Sequence, residues 1–144
     1  MNNVKNCMTV IFALLCTLGL VLVLALLPKR LAFKGGESYT FFVGDTSRNC
    51  KVVSCAGAEA DYTRLTLRGV CGESATYSSL DLDTFLKSVN GKIVFREELE
   101  DSVNYYCTAT LPYSVTLYGK EINLHVCVKE AGVTVGTPII FGGY

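Results

Sequence analysis

Residues 8–27, MTVIFALLCTLGLVLVLALL, run for about 20 positions without a charge, and nothing else in the chain restricts its fold so strongly. A helix rises ~1.5 Å per residue, so the run can cross a hydrocarbon core of ~30 Å. The rival is a cleaved secretory signal, whose apolar region spans about 7–15 residues and ends at a small-residue site. Here the run is longer, and Pro28-Lys29-Arg30 closes it without an A-x-A pattern. The expected organisation is an uncleaved single-span anchor over residues 1–30, a linker over 31–38 containing Gly35-Gly36, and one domain over 39–144. Cys7 and Cys16, in or beside the span, read as small membrane-compatible residues.

The formal charge of zero hides a split. Four of the thirteen Lys/Arg (Lys5, Lys29, Arg30, Lys34) lie in the first 34 residues, which hold none of the thirteen Asp/Glu. The remainder therefore carries nine against thirteen, a balance of −4. No basic face or stripe is present for nucleic acid, which excludes that class. The basic residues after the span favour a cytoplasmic domain. The cysteines argue the other way, because Cys50, Cys55, Cys71, Cys107 and Cys127 are dense for a small domain, as where disulfides persist. The domain is therefore expected on the non-cytosolic side of a single-pass membrane protein, in the secretory pathway or at the cell surface, with the mitochondrial intermembrane space as alternative. No C-x-x-C pair occurs and His125 is the only histidine, so the sequence points to no metal or other cofactor.

From residue 39 the pattern becomes short β segments. YTFFV, CKVVSC and YTRLTLRGVC lie in the first half, with NYYCTATL, YSVTLYG and INLHVCV in the second. They are rich in β-branched and aromatic residues and are separated by Pro112 and Gly119-Lys120. The stretch 77–95, YSSLDLDTFLKSVNGKIVF, opens strand-like, passes through a helical turn, and reaches Asn90-Gly91, a strong type I′ hairpin signal. Helix is expected only over 83–88 and 96–101, and a last strand over 137–141. The fold class is all-β.

An internal echo accompanies this pattern. Cys50 precedes Cys71 by about the interval at which Cys107 precedes Cys127, and both closing cysteines end related strands, LTLRGVC and INLHVC. Two units, each closed by a disulfide across about 20 residues, is the simplest account. Each such loop is worth ~3 kcal/mol by chain entropy. Either Cys50 or Cys55 could pair with Cys71, leaving one thiol over.

The residues Leu67-x-x-x-Cys71, Tyr77-x-Ser79-Leu80-Asp81-Leu82-Asp83 and Asn90-Gly91-Lys92-Ile93-Val94-Phe95 resemble the repeat of the cyanovirin-N homology (CVNH) domains. The resemblance implies a two-repeat, disulfide-tied β domain, repeat one over about 39–95 and a divergent repeat two over about 96–144, that binds mannose-type glycans. Carried over by position, it implies one sugar site from Arg48, Asn49, Glu73 and Ser74. A second would use Ser88, Asn90, Gly91, Lys129 and Glu130. Asn, Glu and Arg suit a neutral sugar because their lone pairs and N–H groups match vicinal hydroxyls. The chain departs from the family where N-x-D-G becomes Ser88-Val89-Asn90-Gly91, and where no second S-S-L-D-L follows Cys127.

Leu99-Glu100-Asp101-Ser102-Val103-Asn104-Tyr105-Tyr106-Cys107 is similar to the D-S-x-x-Y-Y-C signature of immunoglobulin variable-type domains, with Cys55 as the implied partner of Cys107. The chain has no Trp for the usual core position of that fold. Enzyme chemistry is not expected. His125 alternates with apolar neighbours as a surface or core residue does, and Asp81 and Asp83 read as one solvated strand face. There is no G-x-S-x-G elbow and no P-loop. Two function classes remain, with the Ig-like adhesion domain ranked below them. One is a membrane-anchored glycan-binding module; the alternative is a non-catalytic structural subunit that meets other subunits of a membrane assembly.

Overall fold

The computed structural model describes residues 2–26, 29–44 and 50–141. It divides into two units, Met1–Arg30 and Leu31–Tyr144. The first is a helix, α1 (Asn2–Leu26), containing a 20-residue stretch, Asn6–Ala25, long and apolar enough to cross a membrane. Within it the Thr17 hydroxyl donates to Leu14 O at 2.9 Å, so its one polar hydrogen is satisfied inside the helix.

The second unit is built on antiparallel strands. These are β1 (Ser38–Val43), β2 (Lys51–Ala56), β3 (Val70–Tyr77), β4 (Lys92–Glu98), β5 (Val103–Thr108), β6 (Val115–Leu117), β7 (Lys120–Ile122), β8 (Leu124–Lys129) and β9 (Gly132–Thr137). Seven form one sheet in the order β2-β1-β3-β9-β8-β5-β4, and β6 with β7 makes a separate hairpin. Two short helices, α2 (Ala60–Thr66) and α3 (Leu82–Ser88), lie in the connections either side of β3. The all-β expectation holds at this level of detail.

Register sorts the side chains into two faces, because directly paired residues point to the same side. On the front face one row runs Cys55, Tyr39, Ala75, Val135, Val126, Tyr105, Arg96 across all seven strands. The main apolar core forms here. Phe41, Leu124, Val126, Val135 and Cys107 are fully buried, and Ala60 of α2 and Leu86 of α3 pack into the same cluster. On the rear face the neighbouring row is Ser54, Thr40, Ser74, Gly136, His125, Tyr106, Phe95. Its middle is covered by residues 138–141, where Phe141 meets Phe42 at 4.9 Å between ring centroids and Ile140 lies against Gly136.

Several expectations are corrected. The stretch 62–71 is read above as a strand, but it starts as α2. Ala60 and Arg64, one turn apart, both bury, while Leu65, which suggested strand alternation, is 43% exposed. Asp81 and Asp83 do not share a strand face. Asp81 caps α3, accepting from Thr84 N at 2.7 Å, and Asp83 lies in the first turn, where acids suit the helix dipole. Asn90-Gly91 makes no hairpin between strands. Gly91 N donates to Leu86 O at 2.7 Å and Asn90 N to Lys87 O at 3.3 Å, the two bonds of a Schellman cap, with Asn90 at φ 53°. The expected helix at 96–101 is instead the end of β4, to Glu98, and the turn after it, and the last strand stops at Thr137, where a cis bond leads into Pro138.

The cysteine scheme also changes. Among the described residues no disulfide joins Cys50, Cys55, Cys71, Cys107 or Cys127. Cys107 pairs in register with Leu124 and Cys127 with Asn104, so the two cysteines are three positions apart along β8 and on opposite faces. That separation is ~10 Å, beyond the reach of a disulfide. Cys55 cannot meet Cys71, because β1 lies between β2 and β3. Cys55 and Cys107, the partners of the immunoglobulin resemblance, stand in strands five places apart in the sheet order.

The stretch 31–37, read as linker, belongs to the second unit and crosses the front face. Phe33 is 1% exposed and packs on Phe85, the Tyr39 hydroxyl donates to Phe33 O at 3.1 Å, and the Tyr77 hydroxyl donates to Lys34 O at 2.9 Å.

A candidate binding cleft at one end of the sheet

The residues implied by the CVNH resemblance are not brought together. Arg48 and Asn49 lie outside the described residues. Glu73 and Ser74, adjacent in β3, are both buried and point to opposite faces. Glu73 is occupied. Its Oε1 accepts from Ala32 N at 2.9 Å and Phe33 N at 3.3 Å, and its Oε2 lies 3.9 Å from Arg64 Nε. Burial raises its carboxyl to about 7, against the opposing pull of the two backbone N–H groups and of Arg64. Arg64 in turn donates to the Tyr113 hydroxyl at 3.2 Å.

Ser88, Asn90 and Gly91 sit at the end of α3. The Ser88 hydroxyl donates back to Phe85 O at 2.7 Å, and Asn90 Nδ2 donates to Thr110 Oγ1 at 3.4 Å. They lead into the start of β4, where Lys92 pairs with Thr108. Lys129 and Glu130 lie at the other end, beyond the pairing of Val103 with Val128. A six-residue strand, β5, separates the two groups by ~17–20 Å.

Lys129 and Glu130 do join a site, with residues of a different turn. The β4–β5 turn is closed by Leu99 N donating to Ser102 O at 2.8 Å, and it stands beside the β8–β9 turn because β5 pairs with β8. Between them lies an open cleft of about 760 Å³ lined by residues 99–103 and 128–131. Lys129 Nζ donates to Asp101 Oδ2 at 3.2 Å, and this bond, with the ammonium charge, holds the Asp101 carboxyl below its ordinary value. A smaller hollow of about 180 Å³ shares Lys129 and Ala131 and reaches Tyr77 and Thr134. Gly132, at φ 142°, begins β9 close against Tyr77 O, where a Cβ would clash.

The cleft lining combines apolar and polar side chains. Leu99 is 48% exposed and Val128 half-buried, while Glu100, Asp101 and Glu130 offer carboxylate acceptors and Lys129 a donor. Three carboxylates against one ammonium make the local field negative. Sequence reasoning placed Lys129 and Glu130 by resemblance and missed Leu99, Glu100 and Asp101. Their signal was the acid-rich run Glu97-Glu98-Leu99-Glu100-Asp101 between two alternating segments, which reads as a turn rather than a helix.

The rear-face aromatic row is the other conspicuous cluster. Phe95, Tyr106 and His125 stack in sequence with centroids 4.4 Å apart at each step, Tyr118 meets Phe95 edge-on at 5.8 Å, and Lys120 Nζ lies 5.8 Å from the Phe95 centroid. The rings spend their faces on one another, so the row stiffens the pairing of β4, β5 and β8 and leaves little open platform. His125 is sealed in: Ile140 N donates to its Nδ1 at 3.3 Å. The ring proton therefore sits on Nε2, which donates to Asn104 Oδ1 at 3.0 Å. Burial depresses its pKa to about 4. Comparison of the chain with protein families, curated proteins and solved structures finds no match.

Proposed function

We propose that this chain is a membrane-anchored, non-catalytic glycan-binding module whose ligand lies in the cleft between the β4–β5 and β8–β9 turns. The observation that carries the reading is the cleft itself, whose lining includes the Asp101–Lys129 pair together with Leu99 and Val128. A neutral sugar ring has one apolar C–H face and a rim of vicinal hydroxyls. The first matches Leu99 and Val128; the second matches the carboxylates of Glu100, Asp101 and Glu130 and the Lys129 ammonium. The negative lining selects against sialylated or sulfated sugars, which leaves the mannose-type class implied by the CVNH resemblance. Such a ligand places the domain on the non-cytosolic side of the membrane. Two buried titratable groups, Glu73 and His125, are committed to structural hydrogen bonds, which favours binding over catalysis. An open, shallow cleft binds weakly and gains from several copies engaging one ligand in the membrane plane.

Titration of the full chain in lipid nanodiscs with mannose oligosaccharides tests the reading. Saturable binding is expected, weakened at least tenfold by Asp101→Ala or Glu130→Ala and unchanged by Ser88→Ala at the far end of β5. Absence of binding to neutral glycans, or binding indifferent to both cleft substitutions, would overturn it.

A further inference from the structure

The two edges of the seven-stranded sheet are built differently. The β4 edge is guarded. Its register with β5 shifts between Ile93 and Phe95, it carries Lys92, Arg96, Glu97 and Glu98, and the β6–β7 hairpin places Tyr118 and Lys120 against Phe95. Bulges, charges and covering segments are the means by which natural sheets block unwanted pairing. Among the described residues the β2 edge shows no bulge and little charge. Six consecutive residues pair with β1 without a register shift, the sequence KVVSCA has one charge, at its first position, and Val52 is 56% exposed. In an antiparallel pair, alternate residues turn both N–H and C=O away from the neighbour, so a flat outer edge presents a row of donors and acceptors.

We infer that β2 pairs antiparallel with β2 of a second copy of this chain, about a two-fold axis perpendicular to the sheet, giving one continuous sheet across both copies. Three observations point to a second copy as the occupant. First, the strand complements itself: with the axis at Val53, Val52 faces Ser54 of the other copy and Lys51 faces Cys55. With the axis one residue on, Lys51 lies beyond the partner strand, so in neither register do the two lysines meet. Second, this axis keeps the front faces of both copies on one side. Residues 32 and 33 bind Glu73 on that face, so both chains enter their domains from the same side, as copies anchored in one membrane require. Third, an apolar helix able to span a membrane confines the copies to a plane and raises their effective concentration, which a strand of six residues needs.

The test uses the full chain in detergent micelles under reducing conditions, with sedimentation and hydrogen exchange measured over a concentration series. A reversible dimer is expected, with the amides of Lys51–Ala56 gaining protection as it forms. The exposed double substitution Val52→Lys/Ser54→Lys sets ammonium groups against one another in either register and should raise the dimer dissociation constant at least tenfold. Ile93→Lys on the guarded edge should leave it unchanged. Circular dichroism checks folding, and Ser54→Lys alone substitutes if the double variant unfolds. A wild-type chain monomeric throughout, as it would be if β2 takes another protein's strand, overturns the inference. So does a dimer that survives the lysine pair, which would be held by α1 or another surface. Sugar binding per copy is independent of this edge, so the two readings fail separately.

Discussion

Glu73 on the front face of the sheet and His125 on the rear are both buried and titratable, and the two faces accommodate them in opposite ways. On the front, Glu73 sits within an apolar cluster and is held by two backbone N–H groups and Arg64, yet burial still raises its pKa to about 7. On the rear, His125 lies between Tyr106 and the C-terminal segment, with both nitrogens engaged and its pKa depressed to about 4. In both cases dehydration disfavours the charged form, and the sign of the charge decides the direction. A raised carboxyl contributes stability present below its unfolded pKa of ~4.5 and lost as pH rises to about 7. A depressed imidazole contributes stability present above ~6.5 and lost as pH falls to about 4. The windows overlap, so the two slopes nearly cancel between about pH 4.5 and 6.5. The expectation is a nearly flat pH dependence of stability in that window, arising from two opposed buried groups rather than from none.

Substitution of neighbouring aromatics gives the largest test of the two faces. Phe41 and Phe42 are adjacent, point to opposite sides, and are 0% and 7% exposed. Phe41→Ala should cost about 4 kcal/mol in denaturant unfolding, and Phe42→Ala about 3, because the segment over Phe42 can collapse more readily than the front-face core. Equal losses would mean that the rear covering is as rigid as the core.

Breaking the pH compensation comes next. Glu73→Gln keeps an oxygen for Ala32 and Phe33 but removes the titration. Its unfolding free energy should then fall on acidification through 6.5 to 4 by about 3 kcal/mol, the full His125 slope. His125→Gln should show the mirror image, with stability falling by about 3 kcal/mol as pH rises from 4.5 to 7. A flat profile retained in both variants would show that these two groups do not govern the pH dependence.

A smaller effect separates the aromatic rows. Tyr106→Leu loses stacking on both Phe95 and His125 and should cost about 1–2 kcal/mol, whereas Tyr105→Leu loses one Arg96 contact at 5.9 Å and should cost less than about 1. The last test carries no energy but bears on register. Peptide mapping of denatured, unreduced protein should find no bond between Cys107 and Cys127, since the two face opposite sides. A mapped Cys107–Cys127 bond would show that β5 and β8 pair differently.

The sequence made some of this legible and hid the rest for identifiable reasons. The apolar run and the β-branched, aromatic segments announced α1 and most of the strands, because hydropathy and period are local properties. Asn90-Gly91 correctly marked a positive φ, but the same geometry serves a helix cap as well as a hairpin, and local sequence does not say which. In α2, Leu65 and Leu67 mimicked a strand while the residues that bury were Ala60 and Arg64. A polar Arg cannot be recognised as a core residue until Glu73 and Tyr113, far away in sequence, are placed beside it. The cleft was half legible. Lys129 and Glu130 were named, but Asp101 reaches Lys129 only through the β5–β8 pairing, 28 residues away.

What the sequence determined by itself was the apolar helix, the β class of the rest and the glycine and asparagine positions that turn the chain. Those follow from side-chain chemistry and from steric limits that each residue carries with it. Only the tertiary structure decided which thiols could meet, which of two adjacent phenylalanines faces which layer, why Glu73 is sealed rather than exposed, and which turns form the cleft. Each of these depends on strand order and register. A shift of one residue exchanges the faces, and no local preference fixes that shift; the packing of both layers does.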